Sequence, residues 1–369
     1  MRRRVVASTV ALAAICLTSG LAGAQNAGAG PGADAGSAAR GITPAHVNGQ
    51  VWLMAGEPGE SNVVVQVGDD GALVVDTGTE AAAPQLLAAI QGVIQQHAGD
   101  RKTLSVIIDT NGRPDHIGGN ALIAGAGSQI LGGHEAADAK EFAGQAEQAA
   151  EVMAEQSVLT HLVQEQSGAG QHTPQEQWPT ITEDFDLYNM AFDGEAVQIY
   201  HPHDATTDGQ LIVFFRQSNV IAAGDVVDMN FYPSIDLARG GTIDGELVAL
   251  NKVIELAVPA MYAEGGTVVI PGHGGLCDQA DVETYKNMIT TIRNRVQFYK
   301  NQGKSLDQVL ALKPSAGWDG RWSASNGPAS TREFITAVYS TLPGRGPPFS
   351  MHTVTLVPST TTISGGKQY

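Results

Sequence analysis

The chain has 369 residues, 43% of them hydrophobic, with two cysteines and a formal net charge of −17. That length suits one large domain or two small ones. So acidic a surface argues against nucleic acid and anionic membranes as partners; a small-molecule substrate is the expectation, and oligomeric state is left open.

The N-terminus has the three parts of a secretory signal peptide. Arg2, Arg3 and Arg4 form a basic start, residues 5–17 an apolar run too short for a typical transmembrane helix, and Ala22-Gly23-Ala24 a small-x-small cleavage site. Residues 1–24 are therefore expected to be removed on export, giving a periplasmic or secreted protein with no membrane span after cleavage. Cys16 leaves with this segment, so Cys277 has no intramolecular partner and stability must come from the core. Residues 25–41 read as a flexible Gly/Ala-rich linker, residues 42–343 as the folded domain, and residues 344–369 as an extended Pro/Gly/Thr-rich tail.

Within the domain, residues 50–55, 62–67 and 72–76 are short β-type runs, and Asp69-Asp70-Gly71 signals a hairpin between the last two. Residues 79–97 read as a helix with Leu86, Leu87, Ile90, Val93 and Ile94 on one face, followed by a buried strand over 104–108. A helix is expected to start at Ile117. Residues 134–156, rich in Ala, Glu and Gln, are helical by propensity, and 168–179 read as a polar loop. Strands follow at 196–200, 211–215 and 220–222, a helix at 244–257 and a strand at 267–270. A long helix carries the stripe Val282, Tyr285, Ile289, Ile292, Val296 and Tyr299, and a last helix covers 331–342. Two halves of similar strand and helix order fit an α/β sandwich of two sheets with helices on both outer faces.

The stretch Asp109-Thr110-Asn111-Gly112-Arg113-Pro114-Asp115-His116-Ile117-Gly118-Gly119-Asn120 sits on a strand-to-helix turn. An Asp-His pair there is placed to hold a metal, although Asp115 as a helix cap and His116 as a surface residue would also satisfy the dipeptide alone. Three further loops follow apolar strands in the same way: residues 201–209, Gly224-Asp225, and residues 271–275 with His273. Imidazoles and carboxylates at successive strand ends can converge on one point.

From about Pro44 to about Leu342 the sequence resembles the metallo-β-lactamase-fold hydrolases, which include glyoxalase II and the metallo-β-lactamases. The resemblance rests on Asp76-Thr77-Gly78, the Asp-His-x-Gly-Gly-Asn ending at Asn120, and His134-Glu135. It continues through Thr207-Asp208-Gly209, Gly224-Asp225, Tyr232-Pro233, Gly240-Gly241 and Pro271-Gly272-His273-Gly274. It implies a four-layer αββα sandwich of two mixed β-sheets flanked by helices. The family motif is His-x-His-x-Asp-His, and here its first two histidines are Asn111 and Arg113, while the third histidine of the first metal site is Thr206. The first site is thus expected to be absent. Asp115, His116 and His273 match the second site, and Asp225 matches the carboxylate that bridges both metals. Asp76 is expected to orient the metal turn from behind.

The resemblance therefore implies one divalent metal, zinc first, with manganese or iron as alternatives. A guanidinium cannot coordinate a cation, so Arg113 is expected to pair with Asp225 or to bind an anionic group of the substrate, unless it turns out to solvent. The expected function is an exported single-metal hydrolase acting on an ester, thioester or amide carbonyl. Asp115 or Asp225 would take the proton, Arg113 and Asn111 would bind substrate or oxyanion, and Tyr232-Pro233 and the 239–241 loop would line the pocket. The alternative is an inactive family member serving as a periplasmic binding or accessory protein. His203 is considered as a substitute ligand for the position of Thr206, and Cys277 as a thiol near the metal or an inert core residue.

Overall fold

The computed structural model describes residues 42–344 except 57–59, 99–102, 129–148, 169–171, 263–264 and 324–329. The expected signal segment, the linker, His134 and the tail beyond Gly344 lie outside the described residues.

The first half runs β1 (Ala45–Asn48), β2 (Val51–Met54), β3 (Val63–Gly68), β4 (Gly71–Val75), α1 (Ala83–His97), β5 (Leu104–Ile108), α2 (Pro114–Ile117), α3 (Asn120–Gly125), β6 (Glu151–Glu155), α4 (Gln156–Gln166) and β7 (Ile181–Glu183). Then come β8 (Leu187–Phe192), β9 (Glu195–Tyr200), β10 (Ile212–Phe215), β11 (Val220–Ala222), α5 (Ile243–Leu256), β12 (Val268–Ile270), α6 (Gln279–Asn301), α7 (Leu306–Ala311), α8 (Asp319–Trp322) and α9 (Thr331–Thr341).

Among the described residues β1 to β7 form a seven-stranded sheet in sequence order, and β8 to β12 a five-stranded sheet in the order β12-β11-β10-β9-β8. Both sheets are mixed. In the first, β1 to β4 pair antiparallel and β4 to β7 parallel. In the second, β8 to β11 pair antiparallel and β11 runs parallel to β12.

Three apolar layers hold these sheets together. Val64, Leu73, Val75, Val106 and Ile108 of the first sheet face Val197, Ile199, Val213, Phe215 and Ala222 of the second. On the outer side of the first sheet, Val63, Val65 and Val74 pack against Leu86, Ile90 and Val93 of α1. Beyond the second sheet, Ile212, Phe214 and Ile221 pack against α5, α6 and α9 through Leu250, Ile289 and Val338. Alternating strand faces buried on both sides leave helices as the outer layers, and the result is the four-layer αββα sandwich. No helix among the described residues is long and apolar enough to cross a membrane.

The expected helix over 134–156 needs correction at its end. Residues Glu151–Glu155 are β6, paired parallel to both β5 and β7, with Val152, Met153 and Ala154 buried. Burial between two strands overrides helix propensity here. The helix begins only at Gln156, where the Glu155 side chain accepts the Ser157 amide at 2.6 Å.

Candidate metal centre

Parallel strands deliver the centre. β4 and β5 of one sheet and β11 and β12 of the other end side by side, and the loops that follow carry Asp76, the Asn111–His116 turn, Asp225 and His273. The backbone is tightly fitted there. Gly224 has φ +52°, and a Cβ on it would meet the Thr110 Cβ at 2.8 Å; a Cβ on Gly272 would meet Asp225 Oδ1 at 2.7 Å. Asp76 itself has φ +62°, an unusual conformation that short polar side chains tolerate. It is held by its carboxylate, which accepts the Thr110 amide at 2.7 Å and the Thr110 hydroxyl at 2.8 Å.

The two histidines point inward by the same edge. His116 Nε2 lies 3.1 Å from Asp225 Oδ1. His273 Nε2 lies 3.4 Å from that oxygen and 3.2 Å from Asp115 Oδ2. Each Nδ1 faces an acceptor on the outer side: Asp76 Oδ2 at 2.9 Å for His116, and the Glu60 carbonyl at 3.0 Å for His273. An outward Nδ1–H leaves the Nε2 lone pair directed at the centre, the arrangement that supports metal-ligating imidazoles. The ligand atoms of Asp115, His116 and His273 all lie within 4.8 Å of one another. The donor set and its backing groups therefore fit a divalent ion.

The residues that the resemblance puts at the first-site positions make other contacts. Arg113 Nη1 donates to Asp225 Oδ2 at 3.0 Å, and Nη2 donates to the Ser234 carbonyl. Asn111 Nδ2 reaches Asp225 Oδ2 at 3.4 Å, and Asn111 Oδ1 accepts the Arg113 amide at 2.9 Å. Thr206 donates its hydroxyl to Gln210 Oε1 at 2.8 Å. Asn111, Thr206 and Gln210 are all fully buried. A guanidinium and a set of neutral amides and hydroxyls thus occupy the positions at which the sequence resemblance leads one to expect imidazoles.

Charge follows the geometry. Burial opposes ionisation of Asp225, but His116 and Arg113 hold its carboxyl well below the usual range. Burial likewise opposes ionisation of Asp115, and the charges of His116 and His273 bring it below its ordinary value. Burial would lower the imidazole of His116, yet Asp225, Asp76 and Asp115 push it well above the ordinary value. For His273 the same competition, with Asp115 and Asp225 outweighing burial, raises the pKa to about 10.

The centre opens on a groove of about 500 Å³, with Arg113, Pro114 and Asp115 on one wall, residues 233–239 on the other, and Glu333 and Phe334 of α9. Asp115 keeps a quarter of its side chain exposed and Arg113 12%, whereas His116, His273 and Asp225 are buried. Of the residues expected to line the pocket, Pro233 and Arg239 line this groove, whereas Gly240 and Gly241 do not. Tyr232 stands behind it, fully buried, stacked on Phe334 at 4.8 Å and donating to Asp319 at 2.9 Å. Arg239 is braced by Glu165 and Asp236.

Other expected residues sit elsewhere. Asn111, expected to bind substrate or oxyanion, is fully buried and does not line this groove; its side chain contacts Asp225 and the Arg113 amide. His203 is 60% exposed and pairs with Asp186 at 2.7 Å, outside the centre. Cys277 is a buried core thiol against the Val269 carbonyl, its pKa pushed up to about 12 by burial and by Asp281 and Asp278. Sequence reasoning missed Gln210, the Glu60 and Ser234 carbonyls and the buried carboxyl Glu246. Gln210 directly follows the Thr207-Asp208-Gly209 turn and was open to notice there; a backbone carbonyl leaves no residue-type signal.

Residues 56–273 match the family described as the Metallo-beta-lactamase superfamily. Among solved structures, the chain is similar to the stereoselective inverting sec-alkylsulfatase Pisa1 from Pseudomonas sp., with a TM-score of 0.56, 16% identity, and coverage of 82% of this chain and 50% of that one. A double mutant of the same alkylsulfatase gives a TM-score of 0.57 at 17% identity, covering 81% of this chain and 50% of that one. The metallo-beta-lactamase from Pontibacter korlensis gives 0.46 at 17% identity, covering 68% of this chain and 99% of that one. The chain thus spans about half the length of the alkylsulfatase. A comparison with curated proteins found no significant sequence match. With the fold, the order of the strand-end loops and the match over residues 56–273 in agreement, the chain belongs to the metallo-β-lactamase superfamily.

Proposed function

We propose that the protein is an exported hydrolase that works with a single divalent ion, zinc first, held by Asp115, His116 and His273 with Asp225 beside them. The observation that carries this reading is the pair of inward Nε2 atoms, each backed by an acceptor at Nδ1. The Arg113–Asp225 pair supports a count of one, because it satisfies the carboxylate that a second ion would otherwise need. When bound, such an ion supplies Lewis acidity and brings the pKa of a water to near neutrality.

The chain's own residues do the rest. Asp115 is the carboxylate of the set that lines the groove, and so it is better placed than Asp225 to take a proton from the attacking water. Arg113, on the same wall, places positive charge beside a developing oxyanion. Asn111 and Asp225 hold Arg113 in position, and Asp76 and the Glu60 carbonyl hold the two imidazoles. The carbonyl of an ester, thioester or amide is the expected point of attack.

The zinc-loaded protein would be screened against esters, thioesters and lactams, with sec-alkyl sulfates added after the activity named for the alkylsulfatase. Turnover that drops at least about a hundredfold in Asp115→Asn is the expected result. No turnover of any class by a zinc-loaded protein would instead favour the binding or accessory role, which the self-satisfied Arg113–Asp225 pair also accommodates.

A further inference from the structure

A second group of metal-ligating side chains lies apart from the centre. Glu155, Asp184 and His201 place one potential ligand atom each within 4.8 Å of one another. Glu155 is 4% exposed and His201 7% exposed, while Asp184 stands at the solvent rim. Among the described residues no Lys or Arg pairs with either carboxylate, and neither carboxylate lies within the 4.0 Å of an ion pair with His201. A buried carboxylate with no cationic partner is costly.

His201 is held between two backbone carbonyls. Its Nε2 lies 2.6 Å from the Asp208 carbonyl, and its Nδ1 lies 3.2 Å from the Phe185 carbonyl. Each ring nitrogen thus faces an oxygen, and one of them also lies within 4.8 Å of a Glu155 and an Asp184 carboxylate oxygen. Glu155 uses Oε2 to cap α4 through the Ser157 amide at 2.6 Å, which leaves Oε1 for another partner.

We propose that Glu155, Asp184 and His201 form a second, structural cation site that takes Zn²⁺. One imidazole nitrogen with two carboxylate oxygens suits zinc, whereas Ca²⁺ and Mg²⁺ favour all-oxygen sets. The site joins the β6–α4 junction of the first sheet to the β7–β8 link and to the loop that leaves β9 in the second. From that anchored junction α4 carries His161 onto Asp208 at 2.8 Å and Glu165 onto Arg239, so the ion would brace the groove wall without touching substrate.

The test uses the full chain in a His116→Ala/His273→Ala background, which disables the first centre. After dialysis against Zn²⁺, metal analysis is expected to find one equivalent in that background and none once Asp184→Asn is added. Glu155→Gln, which keeps an oxygen to cap α4, serves as the second variant and should lose the same equivalent. Zinc should raise the melting temperature of the background protein but not that of the two further variants, with far-ultraviolet circular dichroism confirming that they are folded. A background protein that holds no zinc, or one whose zinc persists in both Asp184→Asn and Glu155→Gln, overturns the proposal.

Discussion

Arg113 is the residue on which the proposed chemistry turns. Its guanidinium reaches Asp225 at 3.0 Å, at a position where the sequence resemblance leads one to expect an imidazole. Asp225 is 4% exposed, so removing the guanidinium leaves a buried carboxylate short of a partner. Arg113→Ala is therefore expected to destabilise the protein by about 3–5 kcal/mol in urea unfolding. Most of that loss should vanish in an Asp225→Asn background; an equal loss in both backgrounds would mean that the pair is not what Arg113 contributes. Asp76 acts one step further out, fixing His116 by a 2.9 Å contact. Asp76→Ala is expected to weaken zinc binding about 10–100-fold, read by competition with a chromophoric chelator. The turns that carry Asp115, His116, Asp225 and His273, read with the family resemblance, singled these residues out in the sequence, and the structure brings their side chains together. Asn111 was harder to place, because only the position of Arg113 decides that the amide lies behind it rather than on the groove.

At the level of elements, α5 carries a carboxyl with no evident role in folding. Glu246 is fully buried, and neither oxygen has a hydrogen-bond partner among the described residues. Burial and the nearby charge of Asp225 push its pKa well above the ordinary value, with Arg113 opposing. For an acid whose pKa is raised by folding, stability is complete below the unfolded value and is lost as pH rises toward the folded one. Glu246→Gln should therefore melt at a temperature similar to the parent near pH 5 and increasingly above it toward pH 9, by roughly 2–4 °C for each kcal/mol relieved. A difference that does not change with pH would contradict this. Elements also show where sequence periodicity loses its hold. The long amphipathic stripe of α6 was plain, with Val282, Tyr285, Ile289, Ile292 and Val296 all buried. β6 was not, since Glu151-Val152-Met153-Ala154-Glu155 is strand only through its partners β5 and β7. β8 has a half-exposed face and carries a weak apolar signal of its own.

Across the whole molecule, two mixed sheets bring four strand ends together, and the centre is the result. β4 and β5 supply Asp76, Asp115 and His116 from one sheet, and β11 and β12 supply Asp225 and His273 from the other. The sandwich was legible because alternating strands and helices leave few ways to bury both sheets. The pairing of short strands across the sheets was not, because it depends on contacts distant in sequence. The central claim is that this junction holds one ion, with Arg113 in the place of another. The most direct test compares the zinc content of the wild-type protein with that of His116→Ala after identical loading. The account predicts that the substitution removes one equivalent, whatever is bound elsewhere in the chain. A loss of two equivalents would reveal a two-metal centre, and no loss would show that the centre does not hold zinc; either result contradicts the account.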